Sequence, residues 1–127
     1  MRAYEITSGK MLAADILSRY DDLVKSKSLD LSNGNDIIDV VERYLNLDLS
    51  FDDAEELVRQ AGFEVGGRPG LALSGEKFDS YWVRAEKKLP VYVFGASSRA
   101  KILLISPKRG DYSRIEKISA RIRTVCL

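Results

Sequence analysis

The sequence predicts an α+β domain in which an N-terminal helical part packs on a small antiparallel sheet, with a C-terminal helix. Two observations predict this class. Apolar residues recur at three- and four-residue steps in the first half of the chain, which is the helical period. Two short runs rich in β-branched and aromatic residues follow, separated by a glycine-containing turn. The length of 127 residues fits a single domain, 1–127.

Three helices are expected in the first half of the chain. The first runs from Lys10 to Lys25, after a short strand at Arg2–Ile6 and a break at Ser8-Gly9. The second carries one apolar stripe, made of Ile37, Ile38, Val41, Tyr44 and Leu45. The third opens at Ser50, which caps it, and ends at Gly62, which suits the left-handed position after a helix.

The segment from Glu76 to Lys88 fits either a helix or a strand. Its aromatic residues favour a strand, but the capping and charge pattern around it favours a helix, and we expect a helix. If it is a strand, one of Tyr81 and Trp82 is exposed as an interface anchor. Downstream, Pro90–Phe94 and Lys101–Ile105 read as the two strands of an antiparallel hairpin.

A last helix is predicted after Gly110. Asp111 or Ser113 would cap it, and Ser113 with Glu116 has the spacing of a capping box. Ile115, Ile118 and Ile122 would share its buried face.

Composition restricts the chemistry available to the chain. It holds no histidine, which removes the commonest general base and zinc ligand and excludes a Ser-His-Asp or Cys-His mechanism within this chain. Its single cysteine, Cys126, can form no intramolecular disulfide, and no apolar stretch suits a membrane span or an export signal. We therefore expect a cytoplasmic protein without cofactor or metal.

Charge is distributed unevenly along the chain. Residues 1–63 contain 7 Lys/Arg and 13 Asp/Glu, whereas residues 99–127 contain 8 and 2. The second and third helices should therefore carry an outward acidic surface, which is the predicted partner-binding site: Asp36, Asp39, Glu42, Asp52, Glu55 and Glu56. Whether the acidic and basic segments pair with each other in the fold is left open.

The basic C-terminal segment is the alternative site. On a helix, Arg114, Lys117 and Arg121 would share one face, with Lys108 and Arg109 in the loop before it. Such a face could contact phosphates, and Tyr112 could stack on a base. The whole-chain pI of 7.8 is lower than expected for a dedicated nucleic-acid domain.

One short pattern suggests an enzyme. Glu86 and Lys88, with Asp79 upstream, resemble the PD-(D/E)xK nuclease pattern. That resemblance implies carboxylates that hold a divalent metal and a lysine that helps to activate water. It covers under a tenth of the chain, and Asp79 lies too close in sequence to belong to a neighbouring strand.

These patterns favour binding over catalysis. The leading hypothesis is a non-enzymatic protein-binding module, in concrete form a bacterial immunity or antitoxin-type inhibitor of a basic partner such as a nuclease toxin. The alternative is a nucleic-acid-binding regulatory protein that uses the basic C-terminal helix. The sequence leaves the partner and the oligomeric state open.

Overall fold

A five-stranded antiparallel sheet is the scaffold of the protein. The computed structural model describes residues 3–66, 82–91, 95–106 and 111–126. The strands are β1 (Asn35–Asp36), β2 (Glu64–Val65), β3 (Trp82–Lys88), β4 (Ala96–Ile105) and β5 (Lys117–Cys126). They lie in the order β1-β5-β4-β3-β2, so the three long strands form the centre and the two-residue strands lie at the edges.

Three helices precede the long strands: α1 (Ala3–Lys25), α2 (Ile38–Val41) and α3 (Phe51–Gln60). The predicted first helix is confirmed and is longer than expected. The predicted strand at Arg2–Ile6 is wrong, because the chain is already helical from Ala3. The second helix is shorter than its apolar stripe suggests, since regular α-helix ends at Val41.

Local signals at both ends of α3 act as predicted. The Ser50 hydroxyl accepts a hydrogen bond from the Asp53 amide at 3.2 Å, an N-cap contribution of about 1 kcal/mol. At the other end Gly62 adopts a φ of 89°, and the Phe63 amide donates to the Val58 carbonyl at 3.0 Å. This bond closes a Schellman motif and directs the buried Phe63 back onto the last turn.

Buried and outward residues alternate along the long strands. On β4 every second residue from Ala96 to Leu104 is buried, which is the pattern of a sheet covered on one side. The buried face of the sheet and the helices form one apolar core. Its largest fully buried side chains include Leu12, Ile16, Tyr20, Phe51, Leu57, Ile102, Leu104 and Ile122.

The predicted C-terminal helix is wrong, although the α+β class stands. Residues Lys117–Cys126 form β5, which pairs with β4 from Ile105↔Lys117 to Ala96↔Cys126. The spacing of the apolar residues here fits a strand, in which Ile118, Ala120 and Ile122 lie on one face, as well as it fits a helix. Pairing with β4 along ten residues selects the strand. The expected cap forms only a local turn, in which Asp111 accepts hydrogen bonds from the Ser113 amide and hydroxyl.

The structure corrects two further predictions, both in the middle of the chain. The predicted helix over 76–88 is wrong where the structure describes it, because β3 occupies Trp82–Lys88; residues 76–81 lie outside the described residues. The hairpin exists, but its first strand is β3 rather than Pro90–Phe94. Pro90 and Val91 are not in a strand, and residues 92–94 lie outside the described residues. Lys101–Ile105 is a strand, as predicted.

None of the helices within the described ranges combines the length and the apolar character that a bilayer crossing requires.

Candidate functional site

The outer face of the sheet is rich in cations. Apart from residue 82, whose side chain is not described, the side chains that point away from the core on the five strands are exposed or half-buried. Among the described residues, register and alternation place three carboxylates on this face: Asp36, Glu64 and Glu86. They place seven cations there: Arg84, Lys88, Arg99, Lys101, Lys117, Arg121 and Arg123. We call this surface the open face.

Three of these cations stand side by side across the central strands. Arg123 on β5 is directly opposite Arg99 on β4, and Arg99 is directly opposite Lys88 on β3. Neighbouring strands lie about 4.8 Å apart. We call Lys88, Arg99 and Arg123 the cation row. Like charges placed directly opposite each other on a sheet are destabilising, so the row costs the fold energy unless an anion binds to it.

Few carboxylates compensate this row. Glu86 Oε2 lies 3.7 Å from Arg99 Nη1, which is an ion pair too long to be a hydrogen bond. Arg123 lies near enough to Asp30 to lower the pKa of that carboxyl, whose main cause of lowering is the Asn33 amide. No carboxylate among the described residues forms an ion pair with Lys88 or with Arg123.

A loop beside β5 holds two of the arginines without neutralising them. Arg121 Nη1 donates to the Asn33 carbonyl at 2.6 Å, and Arg123 Nη1 donates to the Ser32 carbonyl at 3.5 Å. Carbonyl oxygens are neutral acceptors, so these two hydrogen bonds do not offset the charge of the guanidinium groups, although the carboxylate of Asp36 lies opposite Arg121 on β1. The contacts restrict the side chains before any ligand arrives, which lowers the entropy cost of binding.

A shallow depression of about 340 Å³ lies next to the cation row. Leu103 of β4 lies in this depression, and the strand register places it between Arg84 on β3 and Ser119 on β5. The remaining outward side chains of the depression belong to Glu86, Lys101 and Arg121, which stand side by side in the next row. The depression thus combines an apolar centre with a rim of cations and one carboxylate.

The predicted acidic residues of α2 are distributed between different contacts. Asp39 makes two hydrogen bonds with Arg19 of α1, one of them at 3.1 Å. This guanidinium lowers the pKa of Asp39 below its ordinary value, and the same contact raises the pKa of Arg19. Asp36 accepts a hydrogen bond from the Ile38 amide at 2.8 Å, and Glu42 is exposed.

The predicted acidic residues of α3 lie on a separate element. Glu55 forms an ion pair with Arg59 at 3.9 Å, and Glu56 accepts a hydrogen bond from Gln60 at 3.1 Å. Asp52 is exposed. The two helices each pack against α1. The six predicted carboxylates therefore lie on different elements. Two of them, Asp39 and Glu55, form ion pairs with arginines.

A further acidic group takes part in packing that the sequence did not indicate. Asp15 of α1 accepts a hydrogen bond from the Tyr44 hydroxyl and lies 3.7 Å from Arg43 Nη1. The hydrogen bond to Asp15 raises the pKa of Tyr44. These contacts join α1 to the segment after α2.

The predicted basic residues divide into three groups. Lys117 and Arg121 lie on the open face, but on a strand rather than on a helix. Arg114 precedes β5 and forms an ion pair with Glu116 at 3.0 Å. Lys108 and Arg109 lie outside the described residues. Tyr112, predicted to stack on a base, packs edge-on against Phe51 with ring centroids 5.1 Å apart.

The residues of the nuclease pattern occupy the open face in part. Glu86 and Lys88 project from the same face of β3, while Lys87 points to the other side and donates to the Ala61 carbonyl at 2.6 Å. Asp79 lies outside the described residues. Within the described ranges, no three His, Cys, Asp or Glu residues are grouped so that they could hold a metal ion.

Arg84 was not predicted as a site residue, Lys88 was predicted only as part of the nuclease pattern, and Arg99 and Arg123 were counted in the basic C-terminal segment without a place in the predicted phosphate-binding face. The signal was present as a two-residue alternation of charged residues, Arg84, Glu86 and Lys88 on β3 and Arg121 with Arg123 on β5. A helical interpretation of both segments concealed this alternation, and cross-strand register is not visible in a single sequence.

No protein-family model, curated protein sequence or solved structure matches this chain. The fold and the site therefore define only a class: an α+β protein whose antiparallel sheet has one face in the core and one basic face turned outward.

Proposed function

We propose that this protein binds nucleic acid through the open face of its sheet. The observation that supports this most is the cation row, in which Lys88, Arg99 and Arg123 face the solvent side by side on adjacent strands. Phosphate groups of a nucleic acid are the anions that such a linear set of cations would fit. Their binding would release counterions and remove the mutual repulsion of the row.

The side-chain chemistry of the row also supports phosphate binding. Two of its three members are arginines, whose planar guanidinium groups can donate two parallel hydrogen bonds to a phosphate. Arg123 is already held by a backbone carbonyl, as is its neighbour Arg121 on the same strand. These contacts position the cations while leaving their charge for a ligand.

The net charge of the protein is only +1, but its positive and negative charges are segregated, so one surface can still attract an anion. The excess of carboxylates belongs to residues 1–63, which include all three helices, whereas the cations line the open face. An anionic ligand is therefore attracted to one side of the molecule and repelled from the other. This arrangement orients the encounter even though the long-range field of the whole protein is small.

Binding of a basic protein through the acidic helices remains a prediction with less support. Asp39 and Glu55 form ion pairs with arginines, and Asp36 lies on the open face of the sheet rather than on a helix. Reversing the charge of Asp36, Glu42 and Asp52 and measuring binding of a basic nuclease at two salt concentrations would test it.

Catalysis also remains an untested prediction. Glu86 and Lys88 lie on the open face, so a nucleic acid bound there would meet both. Incubation of a bound oligonucleotide with Mg²⁺, followed by gel analysis, would reveal cleavage. A cytoplasmic location is part of the proposal, and it is supported by the single cysteine, which allows no intramolecular disulfide.

A binding titration tests the proposal. A fluorescein-labelled dodecamer of mixed sequence is titrated with protein at about 50 mM salt, and its anisotropy is recorded. The triple variant K88Q/R99Q/R123Q removes the cation row. The matched control K10Q/K25Q/K27Q removes three exposed cations from α1 and the turn after it, so its net charge is the same.

The expected result is binding by the wild type and by the control, with a loss of affinity of tenfold or more for the triple variant. Equal weakening in both variants would show a non-specific charge effect, and no binding by the wild type would refute the proposal. Poly-glutamate of similar length is a second ligand. If it binds as well as the oligonucleotide, the open face selects acidic polymers in general and the nucleic-acid assignment is wrong.

A further inference from the structure

The carboxylate of Glu86 is out of place on a surface that binds phosphate. It lies on β3 between Arg84 and Lys88, opposite Lys101 on β4 and Glu64 on β2, and among the described residues it is the carboxylate that lines the depression. A carboxylate at this position repels the backbone of any nucleic acid. Its presence therefore needs a reason other than phosphate binding.

Stabilisation of the neighbouring cations is a first reason, of limited size: Glu86 is directly opposite Lys101, and a cross-strand pair of opposite charge supports a sheet only modestly. Glu86 Oε2 lies 3.7 Å from Arg99 and Oε1 lies 3.6 Å from Lys101, so neither contact is a hydrogen bond. Exposed ion pairs of this length contribute little to stability. Its side chain is 28% exposed, and its two oxygens accept no hydrogen bond from the described residues. Both oxygens keep their acceptor capacity for a ligand.

The surroundings of Glu86 fit a planar ring. Leu103 provides an apolar surface in the depression, while Arg84, Lys101 and Arg121 stand around it. An aliphatic side chain and guanidinium planes can both pack against the face of a nucleobase. The cation row lies two residues beyond Glu86, Lys101 and Arg121, a step of about 7 Å, and four residues beyond Leu103, about 13 Å. A nucleotide could thus place its base in the depression and its phosphate on the row.

The geometry points to the depression as a base-binding subsite in which Glu86 recognises unpaired guanine. This inference rests on the proposed function. A carboxylate only accepts hydrogen bonds, and its two oxygens lie side by side. Among the four bases, guanine presents two adjacent N–H donors, N1–H and N2–H, on its Watson–Crick edge. That edge is occupied in a duplex, so the ligand class is a single-stranded, guanine-containing nucleic acid.

Four oligonucleotides that differ at one position test the inference. Each is an oligo-uridine dodecamer whose central base is uracil, adenine, guanine or hypoxanthine, and the same series is made as DNA with thymine as the background. Hypoxanthine keeps the N1–H group of guanine but lacks the N2 amino group. All titrations contain EDTA, so that metal-dependent cleavage cannot affect them.

The wild type should bind the guanine oligomer roughly fivefold or more tightly than the uracil and adenine oligomers, with hypoxanthine in between. In E86Q this preference should fall below about twofold, because an amide replaces one acceptor by a donor. Affinity for the uracil oligomer should stay constant or rise, since a negative charge is lost. The variant E64Q loses the same charge directly opposite Glu86 on β2, at a residue that does not line the depression, and should keep the preference for guanine because Glu86 keeps both acceptors.

Absence of a guanine preference in the wild type would overturn the inference, and so would an equal gain of affinity for all oligomers in E86Q. Either outcome leaves binding through the cation row intact. Failure of every oligomer to bind would instead refute the proposed function itself. Comparison of the RNA and DNA series identifies the sugar that the site accepts, and thermal unfolding of E86Q verifies that the variant is folded.

Discussion

Arg99 and Arg123 lie directly opposite each other on the antiparallel strands β4 and β5, with both side chains on the outer face of the sheet. Lys88 continues the same row on β3. Cross-strand pairs of like charge normally oppose folding, whereas pairs of opposite charge support it. Three cations in this arrangement cost the fold stability, and the proposed binding of an anionic ligand would offset that cost.

This cost is measurable in the variant R99Q. Removing the central cation relieves repulsion from both neighbours and loses only the long contact with Glu86. The free energy of unfolding in urea should therefore stay constant or rise by up to about 1 kcal/mol, while affinity for nucleic acid falls. A decrease of stability beyond about 1 kcal/mol would show that Arg99 has a structural role instead.

The closest approach between α1 and α3 predicts an unusual response at Gly9. In most helices Gly→Ala stabilises by about 1 kcal/mol. Here a Cβ atom at residue 9 would lie 2.6 Å from Gln60 Cβ and 2.9 Å from the Ala61 amide nitrogen. G9A should therefore destabilise the protein by about 1–3 kcal/mol, through displacement of one helix from the other.

The control for this variant is S18A, at an exposed position of the same helix. Alanine has the higher helix propensity, so S18A should raise stability by up to about 0.5 kcal/mol. Stabilisation by G9A of similar size would contradict the close contact between the two helices.

The Arg19–Asp39 contact predicts an acid-dependent part of the stability. The Asp39 pKa is lowered by the Arg19 guanidinium, so the folded state binds this proton less well than the unfolded state does. The contribution is complete above the ordinary pKa of about 3.9 and is lost as the pH falls through the lowered value. The urea midpoint of the wild type should exceed that of D39N at neutral pH, and the two should converge in acid.

Asp30 also has a lowered pKa, so D39N should retain some acid sensitivity. A difference between the wild type and D39N that is the same at neutral pH and in strong acid would contradict an electrostatic origin.

A buried hydroxyl pair connects the inner residues of β4 and β5. Ser98 Oγ and Thr124 Oγ1 are 2.8 Å apart, and both residues are buried. T124V should cost about 1–3 kcal/mol, because the Ser98 hydroxyl loses its partner in the core. The double variant S98A/T124V should cost less than the sum of the two single variants, as measured by urea unfolding. Strict additivity would show that the hydroxyls do not interact.

The elements that could be predicted from the sequence are those set by local signals. The beginning of α3 follows from Ser50, and its end follows from Gly62, because both caps depend only on neighbouring residues. The long α1 follows from the spacing of its apolar residues, although Gly9 lies inside the helix and not at its start, since it marks the crossing with α3.

The strands β3 and β5 could not be predicted in the same way. Ile118 and Ile122 fit a helical face and a strand face equally well, and long-range pairing with β4 decides. The cation row depends on this pairing, since its members are separated by long stretches of chain and meet only through register. Lys87 also departs from the simple alternation of charged and apolar residues, because it lies on the inner side of β3, where its ammonium group reaches the Ala61 carbonyl.

The dependence of nucleic-acid affinity on salt tests the central claim most directly. For single strands, the slope of log K against log salt changes by about 0.7 for each phosphate contacted by a cation. The variant K88Q/R99Q/R123Q should therefore have a slope shallower than that of the wild type by about 2, and K10Q/K25Q/K27Q should keep the wild-type slope. Equal slopes for all three proteins would contradict phosphate binding by the cation row.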